Sequence, residues 1–118
     1  MGYIYCLYST EDGTPRYVGQ TEGNPERRRR QHLAAALDKR AAGVVNDWIR
    51  EVLRSNHLVE SWTLQEDIAP RDLDMFERYW IEQFPNLLNS GAPDRRVPSE
   101  VAAKITAAIY DRLRAEPQ

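Results

Sequence analysis

Aromatic and branched residues crowd positions 3–9 (Tyr-Ile-Tyr-Cys-Leu-Tyr-Ser), a run that suits a β-strand. The turn-rich stretch Thr10-Glu11-Asp12-Gly13-Thr14-Pro15 separates it from Arg16-Tyr17-Val18-Gly19-Gln20, and the two runs together predict a hairpin. Asn24-Pro25-Glu26 then offers a helix N-cap, a proline for the first turn and an acid against the helix dipole. That helix is expected to run to about Lys39, with Leu33, Ala36, Leu37 and Arg40 along one side, until Gly43 breaks it. A second helix over Val44–Arg54 presents Val45, Trp48, Ile49 and Val52 as a core stripe. Leu58 to Asp67, patterned by Val59, Trp62, Leu64 and the adjoining Ile68, predicts a third strand. Pro70 opens a third long helix through Gln83, stopped by Pro85, and after a loop at residues 89–93 a last helix runs from Pro98 to about Arg114. The order ββααβα with a C-terminal helix predicts an α+β fold, a small three-stranded antiparallel sheet flanked by helices. Residues 1–93 are expected to form the core domain. Residues 94–118 are expected to form a helical extension that packs on the core or contacts a partner or DNA.

Composition narrows this picture. A chain of 118 residues allows one compact domain, and 29% charged with 42% apolar residues is an ordinary globular balance. A net charge of -2 gives no global positive field, yet residues 16–54 hold nine basic and five acidic side chains, so one face can be basic. Fourteen of the sixteen basic residues are Arg, a skew that base composition alone can produce. A single cysteine, Cys6, and two histidines exclude an internal disulfide framework and a structural zinc cluster. Neither a membrane-length apolar run nor a signal-peptide pattern is present, so the expectation is a cytoplasmic protein. Trp48, Trp62 and Trp80 are expected in the core, His57 in an exposed loop, and Cys6 as a small buried strand residue.

Three placements go beyond architecture. Glu77 falls inside the apolar stripe of its helix, among Leu73, Phe76, Trp80, Ile81 and Phe84, where a carboxylate needs a cation or an opening to water. Arg28 and His32, four residues apart, share a helix face near its N-terminus, where a phosphate is favoured and a cluster of cations without an anion is not. Tyr5 and Tyr17 fall on one sheet face only in one hairpin register. A two-residue Asp12-Gly13 turn would put them on opposite faces, whereas an odd loop centred on Asp12, or a bulge, sets Tyr5 opposite Gly19 and Leu7 opposite Tyr17. The odd loop or bulge is the expectation.

Taken together, Tyr3-Ile4-Tyr5, Tyr17-Val18-Gly19, Pro25 to His32, Glu77-Arg78-Tyr79-Trp80-Ile81 and Leu87-Leu88-Asn89 resemble the ordered motifs of the GIY-YIG nucleases. Tyr3 departs by replacing the first glycine. The resemblance implies a DNA endonuclease in which Tyr5 and Tyr17 are the active-site tyrosines, one of them or a water it orients acting as base. It implies that Arg28 holds the scissile phosphate, with Arg27 and Arg30 contacting DNA nearby. The four-residue offset to His32 selects Arg28 over Arg27 for the central role. His32 would assist proton transfer or orient a tyrosine, Asn89 would brace the site, and Gly19 would leave room for the phosphate backbone. Glu77 would bind one divalent cation, Mg²⁺ with Mn²⁺ as a substitute. The tail from Val97 to Ala108 is similar to a short DNA-binding helical module found after such nucleases, while Val101, Ile105, Ala108, Ile109 and Leu113 equally suit packing on the core. Two other functions fit the same chain. One is a catalytically silent DNA-binding or regulatory domain, and the other is a module that dimerises through its last helix. The expected state is a monomer or weak homodimer without membrane contact.

Overall fold

The computed structural model describes residues 1–38, 40–92 and 97–115. Three strands, β1 (Gly2–Ser9), β2 (Pro15–Thr21) and β3 (Val59–Ile68), form an antiparallel sheet in the order β2-β1-β3. Four helices, α1 (Pro25–Leu37), α2 (Val44–Arg54), α3 (Leu73–Gln83) and α4 (Glu100–Ala115), cover both faces. The fold is α+β, with the predicted element order and sheet. β1 is central and covered on both sides, which is why it reads as one unbroken apolar run. Ile4, Tyr5, Cys6, Leu7 and Tyr8 are all buried.

Alternation along β1 sorts these side chains into two cores. Ile4, Cys6 and Tyr8 join Val18 and Ile68 against Leu73, Phe84, Ala102 and Ile109, the side of α3 and α4. Tyr5 and Leu7 join Val59 against Ala36, Ile49 and Val52, the side of α1 and α2. Burial pushes the Cys6 thiol up to about 12, so it stays protonated inside the first core. Trp62 and Trp80 pack against the first core and Trp48 against the second, each only partly buried.

The hairpin takes the register that the two tyrosines need. Tyr5 pairs with Gly19 and Leu7 with Tyr17. The connection Thr10–Thr14 is odd in length and closes by a 2.9 Å hydrogen bond from the Gly13 N–H to the Ser9 carbonyl, with Gly13 at φ +71°. A bulge follows between Leu7 and Tyr8, where Tyr8 pairs with Pro15, so the extra residue is Arg16 rather than Gly13.

Several boundaries move for local reasons. α1 ends at Leu37, short of Lys39, which lies outside the described residues. The Arg50 guanidinium from α2 reaches the carbonyls of Ala36, Asp38 and Ala41 and satisfies the chain where the helix stops. Leu37 is 70% exposed, and Arg40 follows the helix, so Leu33 and Ala36 carry its inner side. β3 continues to Ile68 because Asp67 adopts φ 59° and the register slips twice against β1, which turns Ile68 into the core. Pro70–Asp72 form a single 3-10 turn, and the α-helix starts only at Leu73. His57, expected in an exposed loop, is half-buried, with Nδ1 3.4 Å from Thr10 Oγ1. The expected domain boundary at residues 93/94 lies outside the described residues.

Candidate active site

Tyr5, Tyr17 and His32 form one aromatic group on the α1/α2 face of the sheet. Ring centroids lie 6.4 Å apart for the tyrosines, 6.2 Å for Tyr5 and His32, and 5.1 Å for Tyr17 and His32. The sheet supplies the phenols and α1 supplies the imidazole, one turn beyond Arg28. The Tyr5 oxygen is 2.9 Å from His32 Nε2, and the Arg28 guanidinium lies close enough to lower the phenol's pKa.

Gly19 permits this arrangement. A β-carbon there would stand 2.6 Å from the Tyr5 hydroxyl and 2.9 Å from the Tyr17 ring. The absence of a side chain at Gly19 therefore serves the tyrosines themselves. The space is filled by the Tyr5 phenol, which can lie flat across the neighbouring strand only where no side chain intervenes.

The four consecutive arginines divide by helix face. Arg27 and Arg30 are exposed. Arg29 is held by Glu26 and donates to the Val59 carbonyl at 3.2 Å, so it ties α1 to β3. Arg28 turns toward the tyrosines and also donates to Gln31 Oε1 at 2.9 Å. Arg28 is thus the member of the run that reaches the aromatic group.

Charge balance at the group is set mainly by burial. Desolvation and the neighbouring Tyr17 push the Tyr5 phenol well above its usual value, and Arg28 opposes them. Tyr17 is also pushed up, by burial and by Glu77, again against Arg28. Burial and then Arg28 bring His32 down to about 4, so its imidazole is neutral near pH 7.

Glu77 approaches from the other layer. α3 runs along β2, the edge strand, and carries the half-buried carboxylate to the rim, near enough to raise both phenols. With Tyr17 and Asn89 it lines a cleft of about 480 Å³, whose far wall is the start of α2 around Gly43–Asn46. Burial raises the Glu77 carboxyl; a hydrogen bond from Gln20 lowers it, and Asp74 raises it. Among the described residues no cation forms an ion pair with Glu77. Asn89 closes the cleft against β2. Its Oδ1 accepts from the Val18 N–H at 2.9 Å and its Nδ2 donates to the Val18 carbonyl at 2.7 Å, while the Leu88 N–H donates to the Arg16 carbonyl at 2.7 Å.

The described residues contain no cluster of three or more His, Cys, Asp or Glu side chains able to hold a metal. The donor chemistry nonetheless fits Mg²⁺. This ion binds oxygen, retains most of its water and commonly takes only one or two protein carboxylates. Glu77, half-buried at an open cleft with no ion-pair partner among the described residues, is a carboxylate of that kind.

The geometry thus gathers Tyr5, Tyr17, Arg28, His32 and Glu77, with Asn89 bracing the strand beneath them. Arg27 and Arg30 remain on the surface of the same helix. Two contributors escaped the sequence reading: Gln20 beside Glu77, and the α2 start that walls the cleft. Gln20 had one available signal, its position next to Gly19 in a short strand. A family model described as the GIY-YIG catalytic domain matches residues 1–89 of the chain. No curated protein and no solved structure gives a significant match.

Proposed function

We propose that this chain, which belongs to the GIY-YIG catalytic-domain family, is a divalent-cation-dependent endonuclease that hydrolyses phosphodiester bonds of DNA. The family is one of nucleases, so the reaction class follows from membership, and the finer assignment is our own reading. One observation carries it: Tyr17 and the half-buried Glu77 carboxylate, which has no ion-pair partner among the described residues, line one cleft, and Tyr5, His32 and Arg28 are grouped about Tyr17 behind it. The described residues contain no helix long and apolar enough to cross a membrane, and we read the protein as cytoplasmic, a monomer or weak homodimer.

Hydrolysis requires an oriented water, a neutralised phosphate and a route for one proton. Glu77 would hold one Mg²⁺, or Mn²⁺ in its place, and that ion would supply positive charge against the phosphate and acidify bound water. Arg28, at the end of α1 that favours anions, binds the scissile phosphate and stabilises charge that builds on its oxygens. Tyr17, which lines the cleft, orients the attacking water. Tyr5 is buried behind it, and His32, with Nε2 2.9 Å from the Tyr5 oxygen, orients that phenol. As the water oxygen bonds to phosphorus the water releases a proton, the bond to the leaving sugar oxygen breaks, and that oxygen takes up a proton from solvent, giving a phosphomonoester and a hydroxyl. Asn89 fixes β2, and with it Tyr17, through Val18.

The test is a cleavage panel of single-stranded, duplex and branched DNA in Mg²⁺ or Mn²⁺, with chelated controls. The wild-type chain is expected to cut at least one substrate, and Glu77→Ala and Arg28→Ala to lose at least about 100-fold in rate. Full cleavage by either variant overturns the assignment. Retardation of DNA without cutting of any substrate would instead identify a silent DNA-binding domain.

A further inference from the structure

α4 buries Ala102 and Ile109 in the first core and leaves a second stripe exposed. Glu100, Ala103, Ala107, Tyr110 and Arg114 recur at alternating intervals of three and four residues, so they share one face. That face borders a groove of about 500 Å³, closed on its other side by the buried Phe84, Pro85 and Pro15. Its walls are mainly apolar, and Tyr110 stands at its edge 45% exposed. Water gains little from such walls, and covering them is favourable.

We propose that this face binds a second copy of the chain, with the two α4 helices antiparallel and crossing at Ala107. A two-fold interface must be complementary to itself, and the charges on α4 meet that condition. Glu100 lies seven residues before Ala107 and Arg114 seven after it, so antiparallel pairing sets each Glu100 against the partner's Arg114, twice over. Lys104 and Tyr110 stand three residues either side, which brings each ammonium to the partner's Tyr110 ring. A parallel pairing would instead oppose like charges. Within one chain these groups have only exposed neighbours on the same helix, with Lys104 Nζ 3.5 Å from Glu100 Oε1 and Arg114 2.6 Å from Asp111 Oδ1. Exposed pairs of that kind contribute little and exchange readily. An unrelated partner would account for the groove but not for charges mirrored about one alanine. The inference goes beyond the cleavage reading and does not depend on it, because no residue lining this groove lines the cleft beside Glu77.

The experiment measures the mass of the full chain by light scattering, without DNA, over roughly 10–500 µM. Wild type is expected to pass from one chain to two as concentration rises. Ala107→Glu, which sets two like charges at the crossing, is expected to remain a single chain throughout. Glu100→Arg and Arg114→Glu are each expected to dimerise at least about 10-fold more weakly, because each alone faces like charges across the axis. Mixed in equal amounts, these two variants restore both opposite pairs, and the mixture is expected to associate within about threefold of wild type. Recovery on mixing also shows that both variants are folded, and far-UV circular dichroism checks each one separately. A wild type that stays a single chain at every concentration overturns the proposal, as does dimerisation of Ala107→Glu at wild-type strength. A mixture of folded charge variants no stronger than its components overturns the antiparallel register, and the proposal with it.

Discussion

Tyr5 and His32 share a hydrogen bond, and the burial that raises the phenol is the same burial that lowers the imidazole. His32 sits at about 4 in the folded chain, against 6.5 for an ordinary histidine. Above 6.5 neither state carries the proton and the residue contributes no pH dependence. As pH falls from 6.5 toward 4 the unfolded chain takes up a proton that the folded chain refuses, so the fold weakens across that window. Urea midpoints measured from pH 7 to 4 should therefore fall less steeply in His32→Gln than in wild type; equal slopes would show that His32 is not held neutral. At this scale much of the site was legible in the chain itself. The turn residues allowed either register, and the pairing of Tyr5 with Gly19 was expected only because one site needed both phenols on one face; the bulge at Arg16 supplies it. The place of Glu77 in an apolar stripe called for a cation or an opening to water. The purpose of Gly19 was not legible, because it depends on the ring of a residue fourteen positions away folding across the strand. Gln20 was hidden for a similar reason, its partner Asp74 lying on a helix more than fifty residues later.

At the scale of elements, β2 is held on its outer side by side-chain and loop contacts rather than by a fourth strand. Asn89 makes both hydrogen bonds to Val18 that a neighbouring strand would otherwise make, and Leu88 adds another to Arg16. Asn89→Ala leaves the Val18 N–H and carbonyl to find water at a partly covered edge, and should cost about 1–3 kcal/mol in chemical denaturation. No measurable loss would mean that the segment does not clamp β2. Helix ends were harder to foresee than helix existence. α1 was legible from its cap, but its stop at Leu37 depends on Arg50, whose reach to three carbonyls exists only once α2 has docked. The division of the arginine run had the same origin, since Arg29 is distinguished from its neighbours by a carbonyl on β3.

For the whole molecule, the question left open by the sequence was where the last helix goes. Ala102 and Ile109 of α4 are buried beside Ile4, Cys6 and Phe84, so the helix completes the first core. Ile109→Ala is expected to destabilise the chain by about 2–5 kcal/mol in denaturant titration, and a neutral result would remove α4 from the core. The layers then explain how the site is assembled. Phenols arrive from one side of the sheet and the carboxylate from the other, and they meet around the rim of β2. Adjacent strands are spaced about 4.8 Å apart, so an additional strand beyond that rim would thrust the acid out of range of the tyrosines. Growth of this scaffold by strand addition would keep the acid beside the phenols only along the β3 margin, so the narrowness of the sheet is what lets the two layers share one rim.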